Sequence, residues 1–188
     1  MALEEVAAEL ARLFEEKVIH ENLRKHCYAT EAIMRRLARR LGYDEELWGW
    51  AGLLHDLDYQ ETKDDPARHG RLSARWLEEA GAPAQLIEAV MAHNAEALGQ
   101  ERKTALDYAV TCAETVTGLI VATALVQPDK KLASVKASSL RKRMKEPSFA
   151  RNVNRENIRL CEKLGLDLDE FLELSLAAMR DIAERLGL

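Results

Sequence analysis

His55 and Asp56 stand side by side at the end of an apolar run, "LLHDLDY" at 53–59, and Asp58 follows two positions later. An imidazole suits the C-terminal end of a helix, where the dipole is negative; a carboxylate does not. Asp56 therefore asks for something positive nearby. A divalent cation would serve, because imidazole plus carboxylate is an ordinary ligand pair for iron, manganese, cobalt, nickel or zinc. Adjacent helical side chains point about 100° apart, so both can reach one ion that sits off the helix end. Asp58 has three readings: it orients or deprotonates a water, it partners a ligating histidine, or it caps a loop.

The other candidates are dispersed. His26 follows "LRK" and shares a helix face with Ile33, two turns on, which turns it inward. His69 opens a helix after Pro66, and His93 ends an apolar helix; each reads either as a ligand or as a helix-terminal residue. His20 precedes a helix start and reads as structural only. Glu114 is the only formal charge from Tyr108 to Gln127. A carboxylate buried there must be paired, protonated or bound to a cation. Asp107, two turns earlier on the same face, competes with it for a ligand role.

Helices must position all of these. Apolar residues recur at helical spacing almost throughout, and nowhere alternate strictly enough for a strand. Helices are expected over 3–17, 21–41 (with Gly42 as C-cap) and 45–54 (capped by Asp44). "DYQETKDDPAR" reads as a loop; the segment "HGRLSARWLEEAG", with Leu72, Trp76 and Leu77 inward, and a segment from Pro83 to His93 read as helices. A long apolar helix is expected over 103–126 and a final amphipathic one from a cap at 167–169 to Leu186. The prediction is an all-α chain of roughly eight or nine helices. Residues 1–188 read as one domain, with a core over about 20–127 and a basic helical segment plus C-terminal helix over 128–188.

The totals agree with this. The chain has 188 residues, 47% hydrophobic and 31% charged, which suits one folded domain. A net charge of −5 argues against nucleic acid as a partner. Cys27, Cys112 and Cys161 are odd in number and widely spaced, which argues against a disulfide framework or a cysteine zinc site and favours a reducing compartment. The acidic opening "MALEEVAAEL" does not resemble a secretion signal, so a cytoplasmic location is expected. Segment 108–127 is long enough to cross a bilayer, but Glu114 with Thr111, Thr115 and Thr117 favours a buried helix and no membrane partner.

The order His26, His55–Asp56, His69, His93 and then an acidic residue in a long helix resembles the HD-domain superfamily of metal-dependent phosphohydrolases. The texts "LRKHCYATEAIM", "AGLLHDLDY", "ARHGRLSA", "AETVTGLIVATALV" and "KASSLRKRMKEPSFARNVNR" look most like its bacterial HDIG-type subgroup, over roughly residues 20–165. The resemblance implies an all-α HD-domain bundle with the metal site at its centre and additional C-terminal helices. It implies His26, His55 and Asp56 as ligands of one metal, with Asp56 bridging to a second held by His69 and His93. The last acidic ligand falls on Glu114, where the family's usual residue is aspartate.

The function expected from these residues is hydrolysis of a small phosphorylated molecule, a nucleotide being one candidate, by water activated on one or two divalent ions (manganese, iron, cobalt, nickel, magnesium or zinc). Asp56 and Asp58 are the catalytic candidates. Lys142, Lys145 and Arg151, in the basic stretch 130–159, are candidate phosphate contacts. That stretch has Phe149 as its only aromatic, so RNA is not the expected partner. The alternatives are a di-iron oxygenase, a chemistry that the same ligand set supports in some relatives, and a non-catalytic metal-binding sensor or interaction module. The oligomeric state is open.

Overall fold

The computed structural model describes residues 3–188; Met1 and Ala2 of the expected domain lie outside the described residues. In chain order the helices are α1 (Leu3–Lys17), α2 (Glu21–Leu41), α3 (Glu45–Leu54), α4 (Tyr59–Thr62), α5 (Arg71–Glu79) and α6 (Ala84–Ala92). There follow α7 (Ala95–Leu98), α8 (Ala105–Leu125), α9 (Ala137–Met144), α10 (Arg155–Arg159), α11 (Leu168–Asp181) and α12 (Ala183–Leu186). Among the described residues there is no strand, and the fold is an all-α bundle. The helices outnumber the expected eight or nine because α4, α7 and α10 are single turns in segments too short to show a period.

The first three long helices follow their local signals. Gly42 takes the left-handed conformation (φ 77°) that ends α2, and Asp44 opens α3 by accepting from Glu46 N at 2.9 Å and Leu47 N at 3.0 Å. α2 buries Cys27, Thr30, Ile33, Met34 and Leu37 along one face. α3 lies against that helix with almost no side chain between them. A Cβ on Gly52 would stand 2.8 Å from Glu31 Cα, so only glycine allows this approach. The closeness matters for function: it brings His26 in α2 beside the end of α3.

α8 is the core helix. It packs on α2, α3, α6, α9, α10 and α11, and buries residues around nearly its whole circumference. It is long and apolar enough to cross a membrane by length and composition, and 67% of that stretch is buried inside the protein. It starts at Ala105 rather than at the expected Lys103, because Thr104 and Asp107 form a capping box. The expected final helix is interrupted: Ile182 leaves helical geometry (φ −117°, ψ 20°) and separates α11 from α12. Cys27, Cys112 and Cys161 are free and buried.

Candidate metal centre

Four imidazoles converge on one carboxylate. α2 presents His26, the end of α3 presents His55 and Asp56, the turn before α5 presents His69, and the end of α6 presents His93. Asp56 Oδ2 lies 3.5 Å from His55 Nε2 and 3.6 Å from His26 Nε2. Its Oδ1 lies 3.2 Å from His69 Nε2 and 3.6 Å from His93 Nε2. The donors form two trios, His26–His55–Asp56 and Asp56–His69–His93, each with ligand atoms within 4.8 Å of one another. Asp56 belongs to both. It is 7% exposed, and His55 is 1% exposed.

The outer nitrogens fix the tautomers. His55 Nδ1 donates to Gly52 O at 2.9 Å, and His93 Nδ1 donates to Val90 O. Both histidines cap a helix, so each uses a carbonyl that the helix has left without its own donor. His69 Nδ1 donates to the Asp58 carboxylate at 2.8 Å. Thr117 Oγ1 gives its proton to Glu114 O at 2.6 Å and can only accept from His26 Nδ1, 2.9 Å away. With every Nδ1 protonated, a neutral ring presents a bare Nε2. These bare nitrogens pair at 3.0 Å (His26–His55) and 2.8 Å (His69–His93) around an anionic oxygen. Acceptors so close repel unless a cation or a proton lies among them. Nitrogen and carboxylate donors in this arrangement fit divalent transition metals.

The proton affinities express the same need. Burial lowers His26 to about 4, assisted by the charge of His55, and burial also lowers His93. His55 rises despite burial because Asp56 is beside it. His69 also rises against burial, to about 9, through its hydrogen bonds to Asp56 and Asp58. Burial would raise Asp56 too, but His55, His69 and His93 hold it well below the usual carboxylate range.

A pH dependence follows. His69 holds its proton more tightly in the folded chain, to about 9, than in the unfolded chain, near 6.5. Its stabilisation is complete below about 6.5 and is lost as pH rises through 9. Below pH 7 the shifts of Glu114 and His26 oppose each other; above it the loss from His69 runs in the same direction as that from His55, which is also raised. Chelator-treated protein is expected to be less stable at pH 9 than at pH 7 by on the order of 2 kcal/mol in urea titrations. Equal stabilities at the two pH values would show that His69 holds no such proton.

Asp58 lies behind His69 and is fully buried. Its Oδ1 accepts from His69 Nδ1, and its Oδ2 accepts from Gly70 N and Ser73 N, both at 2.9 Å. Glu114 is half-buried and accepts from the Thr115 hydroxyl; it lies outside both trios. Burial pushes its carboxyl up to about 7. Asp107, its rival, closes the α8 cap by accepting from Lys103 N at 2.8 Å and Thr104 N at 2.9 Å. His20 is exposed, and its backbone N–H donates to Gln60.

Lys142, Lys145 and Arg151 are exposed, and Lys142 pairs with Glu146 at 3.8 Å. Much of the surrounding positive charge is engaged within the chain. Arg155 donates to the carbonyls of Phe149, Ala150 and Val153, Arg141 pairs with Asp169, and Arg159 with Glu162. Sequence reasoning missed Thr117, Ser73 and Arg102. Arg102 is 9% exposed in its side chain, binds both Glu96 oxygens at 2.7 and 2.8 Å, and reaches His93 O at 3.4 Å. None of these three has a sequence signal, because none of their side-chain partners lies at the three- or four-residue spacing of a helix face.

Among known families, the chain matches the HD domain over residues 23–143, well over half of its length. No curated protein matches it. The four converging histidines, the His55–Asp56 doublet and Glu114 all fall inside the matched span, and the chain belongs to the HD domain family.

Proposed function

We propose that this protein is a divalent-metal-dependent phosphohydrolase acting on a small phosphorylated substrate. The observation that carries the reading is that Asp56 is shared by two trios of nitrogen and oxygen donors. With the four histidines it would hold divalent cations. Bound divalent cations supply Lewis acidity, polarising phosphoryl oxygens and making water acidic enough to attack phosphorus.

The chain's own residues do the rest. His26, His55, His69 and His93 would hold one or two divalent cations, each ring oriented by its Nδ1 partner. Asp58 is assigned to positioning His69, since both of its oxygens are already engaged. Glu114 is assigned as the last acidic ligand on the His26–His55 side. A carboxyl near 7 releases its proton readily when a cation approaches, and Glu114 feels the charges of both His55 and Asp56. The extra methylene relative to aspartate gives it reach.

The test is phosphate release from an aryl phosphate and a panel of phosphate esters, using protein reconstituted separately with manganese, iron, cobalt, nickel, magnesium and zinc. Release that needs one of these ions and disappears on chelation is expected. A purified protein that holds iron, consumes oxygen and releases no phosphate would replace this reading with an oxygenase.

A further inference from the structure

A cavity of about 580 Å³ adjoins the centre, and His26 is the one ligand candidate on its wall. α2, α8, α11 and the residues after Ala183 enclose it. Its volume is that of pockets that hold small organic molecules. Thr117, which anchors His26, also lines it, so its floor and the metal centre share two side chains. Beyond them the wall is aliphatic: Ala29, Val121, Ala122, Leu125, Met179 and Leu186.

What the wall lacks is equally informative. Among the described residues, no aromatic side chain apart from the His26 ring lines it, and no acidic side chain does. A nucleobase is usually recognised by stacking and by hydrogen bonds to its edge. Here the uncharged polar side chains are Asn22 and Thr117, and Thr117 is already engaged at both ends. Lys25 is the one formally charged side chain on the wall; its ammonium, 2.7 Å from Glu21, places positive charge beside the aliphatic surface.

We propose that this cavity holds the organic part of the substrate, and that the substrate is a phosphate ester of an aliphatic, uncharged alcohol rather than a nucleotide. The inference rests on the phosphohydrolase reading. In the reaction a water oxygen bonds to phosphorus and the P–O bond to the alkoxy group breaks. The alcohol leaves with a proton from that water, and the phosphate keeps the remaining charge.

The experiment is a chain-length series. Methyl, ethyl, butyl and hexyl phosphates and adenosine monophosphate are given to the metal-loaded protein. Each methylene that enters the cavity is expected to raise kcat/KM roughly fourfold. Ala122→Phe, which fills the cavity, should flatten the series. A flat series in the unmodified protein, or adenosine monophosphate outperforming hexyl phosphate, overturns the proposal without any variant. Calorimetry with methyl- and hexylphosphonate separates the two possible failures. If nothing is hydrolysed but hexylphosphonate binds more tightly and Ala122→Phe removes the difference, the reaction is wrong and the cavity assignment stands. Equal binding of the two phosphonates overturns the cavity assignment whatever the turnover.

Discussion

Asp56→Asn is expected to abolish both cation sites at once. Each cation would have its own pair of histidines, and loss of one ring would leave the opposite trio intact. Asp56 has no such redundancy, because its two oxygens face all four Nε2 atoms, at 3.2 to 3.6 Å. An asparagine there removes the only anionic charge common to both trios. It also turns an amide N–H₂ toward one pair of bare nitrogens, which can then satisfy themselves without a cation. A metal at 100 times its dissociation constant stabilises the native chain by about 2.7 kcal/mol. For a chain of this size that raises Tm by roughly 5–10 °C. The shift should appear in the unmodified protein and vanish in Asp56→Asn, and hydrolysis should fall at least about 10³-fold, about 4 kcal/mol of barrier. Elemental analysis decides the matter: two equivalents of metal retained by Asp56→Asn would sink the shared-bridge reading.

Asp56 as a shared ligand is what the family resemblance implied, but several of the candidate residues stood out in the amino-acid sequence for a physical reason. A carboxylate at the C-terminal end of a helix and a charge in an otherwise apolar helix are local conflicts, and local conflicts show without a structure. Helix ends were legible on the same basis, since Gly42 and Asp44 act through their own backbones. The interruption at Ile182 was not, because no residue there forces it. Direction was also hidden. Periodicity places Glu114 and Asp107 on one face of α8, yet Asp107 is held by the cap it completes while Glu114 lies half-buried and feels the charges of His55 and Asp56. His55 and His93 were readable as helix-end histidines, and they are that as well as metal candidates. The terminal carbonyls of Gly52 and Val90 are what orient their rings. The dipole explanation and the ligand explanation describe the two nitrogens of one ring. Thr117, 91 residues from His26, could be paired with it only once α2 and α8 were packed.

Asp58→Asn is the second large effect expected, and it acts through a proton rather than a lost ligand. In the native chain the two N–H donors from Gly70 and Ser73 face Oδ2, and His69 Nδ1–H faces Oδ1. The asparagine oxygen must stay with the two backbone donors, so its N–H₂ faces His69. The ring then has to accept at Nδ1 and carry its proton on Nε2, the nitrogen aimed at Asp56 and His93. That tautomer cannot ligate a cation in the Asp56–His69–His93 trio. Changes of this kind cost about 10- to 100-fold in metal affinity. The fold should survive, because the two backbone contacts remain. The loss should fall on one cation, leaving the His26–His55 trio loaded, in contrast to Asp56→Asn. Nitrogen NMR of the metal-free variant should find His69 protonated on Nε2. A merely structural Asp58 would instead leave the tautomer unchanged and weaken both cations together, through lower stability. A water-activating Asp58 gives a third pattern: both metals bound at native affinity, the native tautomer, and a rate loss alone.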